Sequence, residues 1–392
     1  MGNFEKDYLE KFHIGTYYLQ SYARTRNHVQ DLRDCGIDFV IGVDNEPKTL
    51  DLFRDYGIGA IVSGVVPGWF GGRGDNAGTM SSINKREMYV DAAMRFRDHP
   101  AIIGIDFGDE PSSVDFPYLG EVLRLSATLF PNKLRYLNIY PSYGMLAGSD
   151  AGQVEKELGK SSYSEYLRSY GQTIDLPYLC FDHYVYSSNR ERFLSDLLCA
   201  AEFCREHKRK LWIVLQVNSS KEDVFISEDQ LRNQAFLALA YGVSTITWAC
   251  YTAGWWYNQV LDAKGEKTEQ YSKLRTVNTE LRTLTTEYIK YRWVNTVEVT
   301  AESAIRYGRF ERICASEQGL LGKFQAGDDQ FGIFYTPLHF QREKMNTLSF
   351  ALPREVRAFL HTPEGKQEVY PDSQGVYRIQ LRAHWACFIT LA

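Results

Sequence analysis

The chain has 392 residues, 44% of them hydrophobic and 24% charged, with a net charge of −5. That length exceeds one ordinary domain, and the balance is that of a packed globular protein. The charge is too slight to imply nucleic acid or a membrane surface as a partner. No apolar run reaches the ~18 residues of a membrane span, and the first residues form no apolar leader. An intracellular (cytoplasmic) setting is expected, or secretion if a leader has been trimmed. Aromatics are the outlier, with 26 Tyr, 22 Phe and 7 Trp; they suit either large cores or the flat faces of sugars. The seven cysteines are odd in number and lack metal-ligand spacing, so they read as reduced, mostly buried small hydrophobes.

In chain order, short apolar β-rich runs occupy 12–19, 39–43, 60–65, 101–107, 134–140, 178–184, 211–217 and 245–251. Helical patterns alternate with them at 26–35, 49–56, 85–97, 116–129, 164–169, 192–206 and 228–241, and another follows at 267–291. Eight strand–helix units in about 290 residues predict a (β/α)8 TIM barrel rather than an open doubly wound sheet. No Gly-rich phosphate fingerprint follows the first strand, which removes the main support for a dinucleotide fold. Ser227 with Gln230 predicts a capping box, and Gly36, Gly57 and Gly242 fall where helices end. Beyond about Val294 the pattern becomes alternating strands at 304–307, 319–324, 330–335, 347–350, 356–361, 367–370, 376–380 and 385–391. The predicted organisation is a catalytic barrel over 1–293 and a small antiparallel β-sandwich, an accessory domain, over 294–392.

In such a barrel, chemistry collects at the carboxyl ends of the strands. Those ends are polar and aromatic, whereas the strand bodies are apolar. They carry Tyr17 and Tyr18, Asp44, a loop with Trp69, then Asp109-Glu110-Pro111, Asn138 and Tyr140, and Asp182-His183-Tyr184. Gln216 closes the seventh strand, and Trp248, Tyr251, Trp255 and Trp256 lie at or after the eighth. Adjacent like charges at Asp109 and Glu110 favour keeping one carboxyl protonated, which is what a glycosidic leaving group needs. An isolated Asp-Glu-Pro also reads as the acidic start of a helix; its position on the fourth strand of eight favours chemistry.

With those residues the barrel resembles the clan A glycoside hydrolases, whose fourth strand usually ends in Asn-Glu-Pro with the Glu as acid/base. The similarity covers about three quarters of the chain and extends to Trp248. It implies that Glu110 is the proton donor, that Asp109 occupies the Asn position, and that Tyr184 and Trp248 line the sugar subsite. The seventh strand departs from the pattern: the clan ends it with a nucleophilic Glu, and here it ends in Gln216, whose amide cannot form a glycosyl ester.

Three routes around Gln216 stay open. Asp182 could serve as base on a water, giving inversion. Asp109 could steady an acetamido group of the substrate beside Glu110, as in some hexosaminidases. The barrel could also bind saccharide without cutting it. Asp106 reads as support below Glu110, and His183 as a residue behind the sugar-contacting set. Residues 71–75 read as a rim loop, either a lid or a solvated connection. A metal centre is not expected, since Asp44, Asp109, Glu110, Asp182 and His183 are scattered without ligand spacing. The expected activity is therefore that of a glycosidase on an oligo- or polysaccharide without a cofactor. Glu110, Asp109 and Asp182 are its catalytic candidates. Tyr17, Asp44, Trp69, Asn138, Tyr140, His183, Tyr184, Gln216, Trp248, Tyr251, Trp255 and Trp256 are its substrate-contacting candidates.

Overall fold

A computed structural model of the chain describes residues 8–70, 76–142, 158–339 and 345–392. The parallel strands are β1 (His13–Tyr17), β2 (Phe39–Asp44), β3 (Gly59–Ser63), β4 (Ile102–Asp109), β5 (Leu134–Asn138), β6 (Tyr178–Asp182), β7 (Lys210–Gln216) and β8 (Val243–Ala249). Neighbouring strands pair from β1 to β5 and from β6 to β8, and β8 pairs with β1 through His13↔Thr245 to Tyr17↔Ala249. The seam between β5 and β6 is the thinnest: it closes at the bridge Ile139↔Phe181, where the Ile139 N–H donates to the Cys180 carbonyl at 2.9 Å. The result is a (β/α)8 TIM barrel. Every residue of β6 and of β8 is buried, as expected for strands covered on both faces.

Helices alternate with the strands as the sequence pattern predicts, with Phe116–Leu129 matching to the residue. The capping box at Ser227 is complete: its hydroxyl accepts from Gln230 N at 3.2 Å, and its own N–H donates to the Gln230 side chain at 2.8 Å. Gly57 ends the helix Pro47–Tyr56 with φ 67°, a conformation that costs a residue with a Cβ. A two-residue strand, Trp69–Phe70, adds to the edge of β4 by pairing with Gly108 and Asp109. Composition gave no sign of it, because two residues carry no alternation.

The chain divides into two compact units. One comprises the chain up to Ile226 with Thr245–Ser272, the other Ser227–Ser244 with Lys273–Ala392. In the second unit, one antiparallel sheet joins Arg292–Val299, Gly319–Ala326, Gln330–Pro337, Cys387–Leu391, Ala358–Thr362 and Gly365–Val369. A second joins Ile305–Tyr307, Phe310–Ala315, Asn346–Ala351 and Val376–Leu381. Both sheets feed one apolar core containing Ile333, Tyr335, Leu348, Phe350 and Ile379, which makes them a β-sandwich. The strands Arg292–Val299 and Phe310–Ala315 escaped the sequence pattern because polar residues such as Asn295, Thr296, Glu311 and Arg312 interrupt their alternation. The helix Glu228–Ala240 belongs to this unit too, with buried Arg232 bonded to Glu228, Asp229 and Glu280. All seven cysteines are free thiols, five of them buried. Among the described residues no helix is long and apolar enough to cross a membrane.

Candidate active site

At the carboxyl end of the barrel, β4 turns sharply after Gly108. The backbone there has φ 141°, and a Cβ would stand 2.1 Å from the Trp69 carbonyl oxygen, so only glycine lets the Trp69–Phe70 strand approach. Glu110 follows with φ 49°, an uncommon conformation for a residue with a side chain, and its N–H donates to the Asn138 carbonyl at 3.0 Å. Strained backbone of this kind collects at functional sites.

This turn opens onto a cavity of about 300 Å³. Asp109, Glu110, Asn138 and Asp182 form its polar side, and Tyr17, Tyr18, Tyr184, Val214, Trp255 and Trp256 form the rest. The Asn138 amide donates to Asp109 Oδ1 at 2.9 Å and to Asp182 Oδ1 at 2.8 Å. Two N–H bonds diverging at roughly 120° would place those carboxylate oxygens about 5 Å apart. Asp106 lies beneath, buried, accepting from Ser63 Oγ at 2.8 Å and from Gly108 N at 3.1 Å. Burial, partly offset by those two bonds, pushes its carboxyl up to about 7. Burial, helped by the Asp109 charge, also raises the Tyr17 phenol, and Tyr18 is pushed up to about 12.

The aromatic wall is built from edge-to-face contacts and one tilted one, Tyr184 with Trp255. Trp255 meets Tyr18 at 5.7 Å between centroids and Tyr17 and Tyr184 at 6.2 Å, while Trp256 meets Tyr184 at 5.0 Å. The loop bearing the two tryptophans is tied down through its carbonyls: Asn218 donates to Trp255 O at 2.6 Å and Gln259 to Trp256 O at 2.7 Å.

The structure thus brings Tyr17, Asp109, Glu110, Asn138, Asp182, Tyr184, Trp255 and Trp256 together from the sequence set. Seven others are not among the residues lining this cavity. Asp44 is exposed and paired with Arg24 at 2.6 Å. Trp69 is buried, its indole N–H donating to Asp115 at 3.2 Å. Tyr140, Trp248 and Tyr251 are fully buried and present no surface to a ligand. His183 is fully buried as well: Nδ1 bonds Asp196 at 3.0 Å and Nε2 bonds Ser188 Oγ at 2.8 Å, so the trio staples the Tyr184–Ser188 turn to the helix Arg190–Glu206. Burial holds that imidazole below the usual histidine range despite Asp196. Gln216 is also buried, its Oε1 accepting from Tyr186 N at 3.0 Å and its Nε2 donating to Ser187 Oγ at 3.1 Å. It is a brace for the β6 loop. The suggested rim loop at 71–75 lies outside the described residues.

Sequence reasoning missed Val214 and left Tyr18 out of the contact set. It also missed the half-buried Ser63 and the buried supports Tyr136 and Cys180. A signal for the last two was present: Tyr136 and Asn138, like Cys180 and Asp182, are two residues apart on one strand and so share a face. Among the described residues, no group of three or more His, Cys, Asp or Glu side chains could hold a metal ion.

Neither a protein-family model nor a curated protein matches the chain. Solved structures do. A cycloisomaltooligosaccharide glucanotransferase from Paenibacillus sp., complexed with cycloisomaltoheptaose, is similar over 98% of this chain and 85% of that one, with TM-score 0.61 and 8% identity. A catalytic mutant of a GH42 β-galactosidase from G. stearothermophilus is similar over 98% of both chains, with TM-score 0.57 and 8% identity. At that identity the likeness is one of fold.

Proposed function

We propose that the protein is a glycosidase, with Glu110 as the acid that protonates the departing oxygen and Asp182 as the second carboxylate, working at the anomeric carbon. The observation carrying this reading is the Asn138 amide, which donates to Asp109 and Asp182 in a cavity that Glu110 also lines. Both aspartates accept from that amide, an arrangement that suits a base or nucleophile, and this reading gives Glu110 the task of delivering the proton. The cavity lies at the small end of ligand sites, which suits one pyranose ring against the Trp255, Trp256 and Tyr184 wall. The two proteins sharing the fold are named for work on saccharides, in keeping with this substrate class. Gln216 does not bear against the reading, because its buried side chain bonds the Tyr186 N–H and the Ser187 hydroxyl.

The test uses aryl glycosides of graded leaving-group ability. Glu110→Gln should lower kcat by roughly 10²–10⁴ on poor leaving groups and far less on dinitrophenyl glycosides, which depart unprotonated. Asp182→Asn should disable both classes. Equal rates on N-acetylhexosaminides and plain hexosides would remove a substrate-assisted role for Asp109. Saccharide binding by the unmodified protein with no turnover across a broad panel would replace the enzyme by a non-catalytic binding barrel.

A further inference from the structure

The groups behind the cavity are joined by hydrogen bonds whose direction can be worked out one proton at a time. Both hydrogens of the Asn138 amide are committed to Asp109 and Asp182. Its Oδ1 can only accept, and the Cys180 thiol donates to it at 3.4 Å. A thiol has a single hydrogen, so its sulfur must receive the Tyr136 hydroxyl, 3.5 Å away. The Tyr136 hydrogen is then spent, and its oxygen must accept from the Tyr17 hydroxyl at 2.5 Å. Tyr17 lines the cavity with lone pairs alone to offer. Tyr136 and Cys180 are buried, so water does not compete for these bonds.

We propose that Tyr17, Tyr136, Cys180 and Asn138 form a one-way hydrogen-bond chain that positions the Asp109–Asp182 pair and presents Tyr17 to a ligand purely as an acceptor. The amide bridges the two side chains only while its oxygen is turned toward Cys180. The chain fixes that orientation. It also sets one element of recognition: the ligand group opposite Tyr17 is a hydrogen-bond donor, such as a sugar hydroxyl, and a ligand donating there polarises every bond down to the aspartates. The effect on turnover rests on the glycosidase reading; the chain itself does not.

Cys180→Ala breaks the chain, Cys180→Ser keeps a donor and an acceptor in place, and Tyr136→Phe breaks it one link earlier. On the aryl glycoside the unmodified protein cleaves fastest, the Ala variant should lose roughly tenfold or more in kcat with KM little changed, and the Ser variant should recover most of it. A second readout needs no turnover: the side-chain carboxyl carbon signals of Asp109 and Asp182, assigned with Asp109→Asn and Asp182→Asn, should move in the Ala and Phe variants and stay near their original positions in the Ser variant. If the unmodified protein cleaves nothing, the glycosidase reading fails while the carboxyl signals still decide on the chain. Signals unmoved in Cys180→Ala and Tyr136→Phe, or moved equally in Cys180→Ala and Cys180→Ser, would overturn it.

Discussion

The Ser63 hydroxyl donates to the Asp106 carboxyl at 2.8 Å, directly below the turn that delivers Asp109 and Glu110 to the cavity. Burial still dominates and pushes the carboxyl up to about 7. A carboxyl raised on folding stabilises the native state fully below its unfolded value, and that stability is lost as pH rises through the folded value. Between about pH 4 and 7 the protein should therefore lose something of order 4 kcal/mol on account of this group. Asp106→Asn, with its amide nitrogen turned to Ser63 as a donor to the hydroxyl oxygen, removes the titration. Thermal unfolding should show the variant's Tm changing less across that window than the parent's, with the gain largest near pH 8. Parallel Tm curves would place the titration elsewhere.

Gly108→Ala tests the turn itself. Its Cβ would press on the Trp69 carbonyl in a backbone conformation that side chains rarely adopt. Either Trp69–Phe70 peels from β4 or the Asp109-Glu110 turn shifts. We expect a loss of about 3 kcal/mol or more in stability, with saccharide binding weakened beyond what the stability change explains. Denaturant unfolding and ligand titration together check this; an unchanged midpoint would mean the strand moves freely.

Asp115 gathers three donors, the Trp69 indole at 3.2 Å, Gly78 N at 2.9 Å and Met80 N at 3.1 Å. Asp115→Ala would orphan all three in a buried setting, at a cost of order 3 kcal/mol. Asp115→Asn keeps two acceptor lone pairs but turns an amide toward a donor, so it should fall between the two. Chemical denaturation gives the ranking, and an Asn variant as weak as the Ala variant would show that geometry rather than donor count sets the cost.

The barrel was legible because eight apolar runs alternating with amphipathic helices leave few other closed arrangements, and Asp-Glu-Pro marked its rim. Side-chain direction was harder to read. Trp248 and Trp255 are the same residue type at the same end of the barrel, yet one is fully buried and the other walls the cavity. The alternation that decides inward from outward lapses where a strand ends, and the chain beyond β8 is a loop held by Asn218 and Gln259. The role of Asn138 was hidden for a different reason. It depends on β4, β5 and β6 arriving in register, and residues 29 and 44 positions apart in the chain show no local spacing.

The resemblance to the clan A pattern implies the nucleophile's position for Gln216, so restoring the carboxylate is the natural experiment. The side chain is buried and braces the backbone N–H of Tyr186 and the hydroxyl of Ser187. In Gln216→Glu the first bond survives, since a carboxylate oxygen accepts from Tyr186 N as well as an amide oxygen does. The second reverses, with Ser187 donating. The new charge is poorly hydrated at that depth, which favours its protonated form and costs about 1–3 kcal/mol once it ionises. The variant should be less stable than its parent at pH 8, close to it at pH 5, and no faster on any glycoside. Tm at the two pH values and the rate on aryl glycosides measure this. A variant that gained turnover with retained anomeric configuration would mean that residue 216 reaches the cavity after all, and the β6 loop would then have to hold without it.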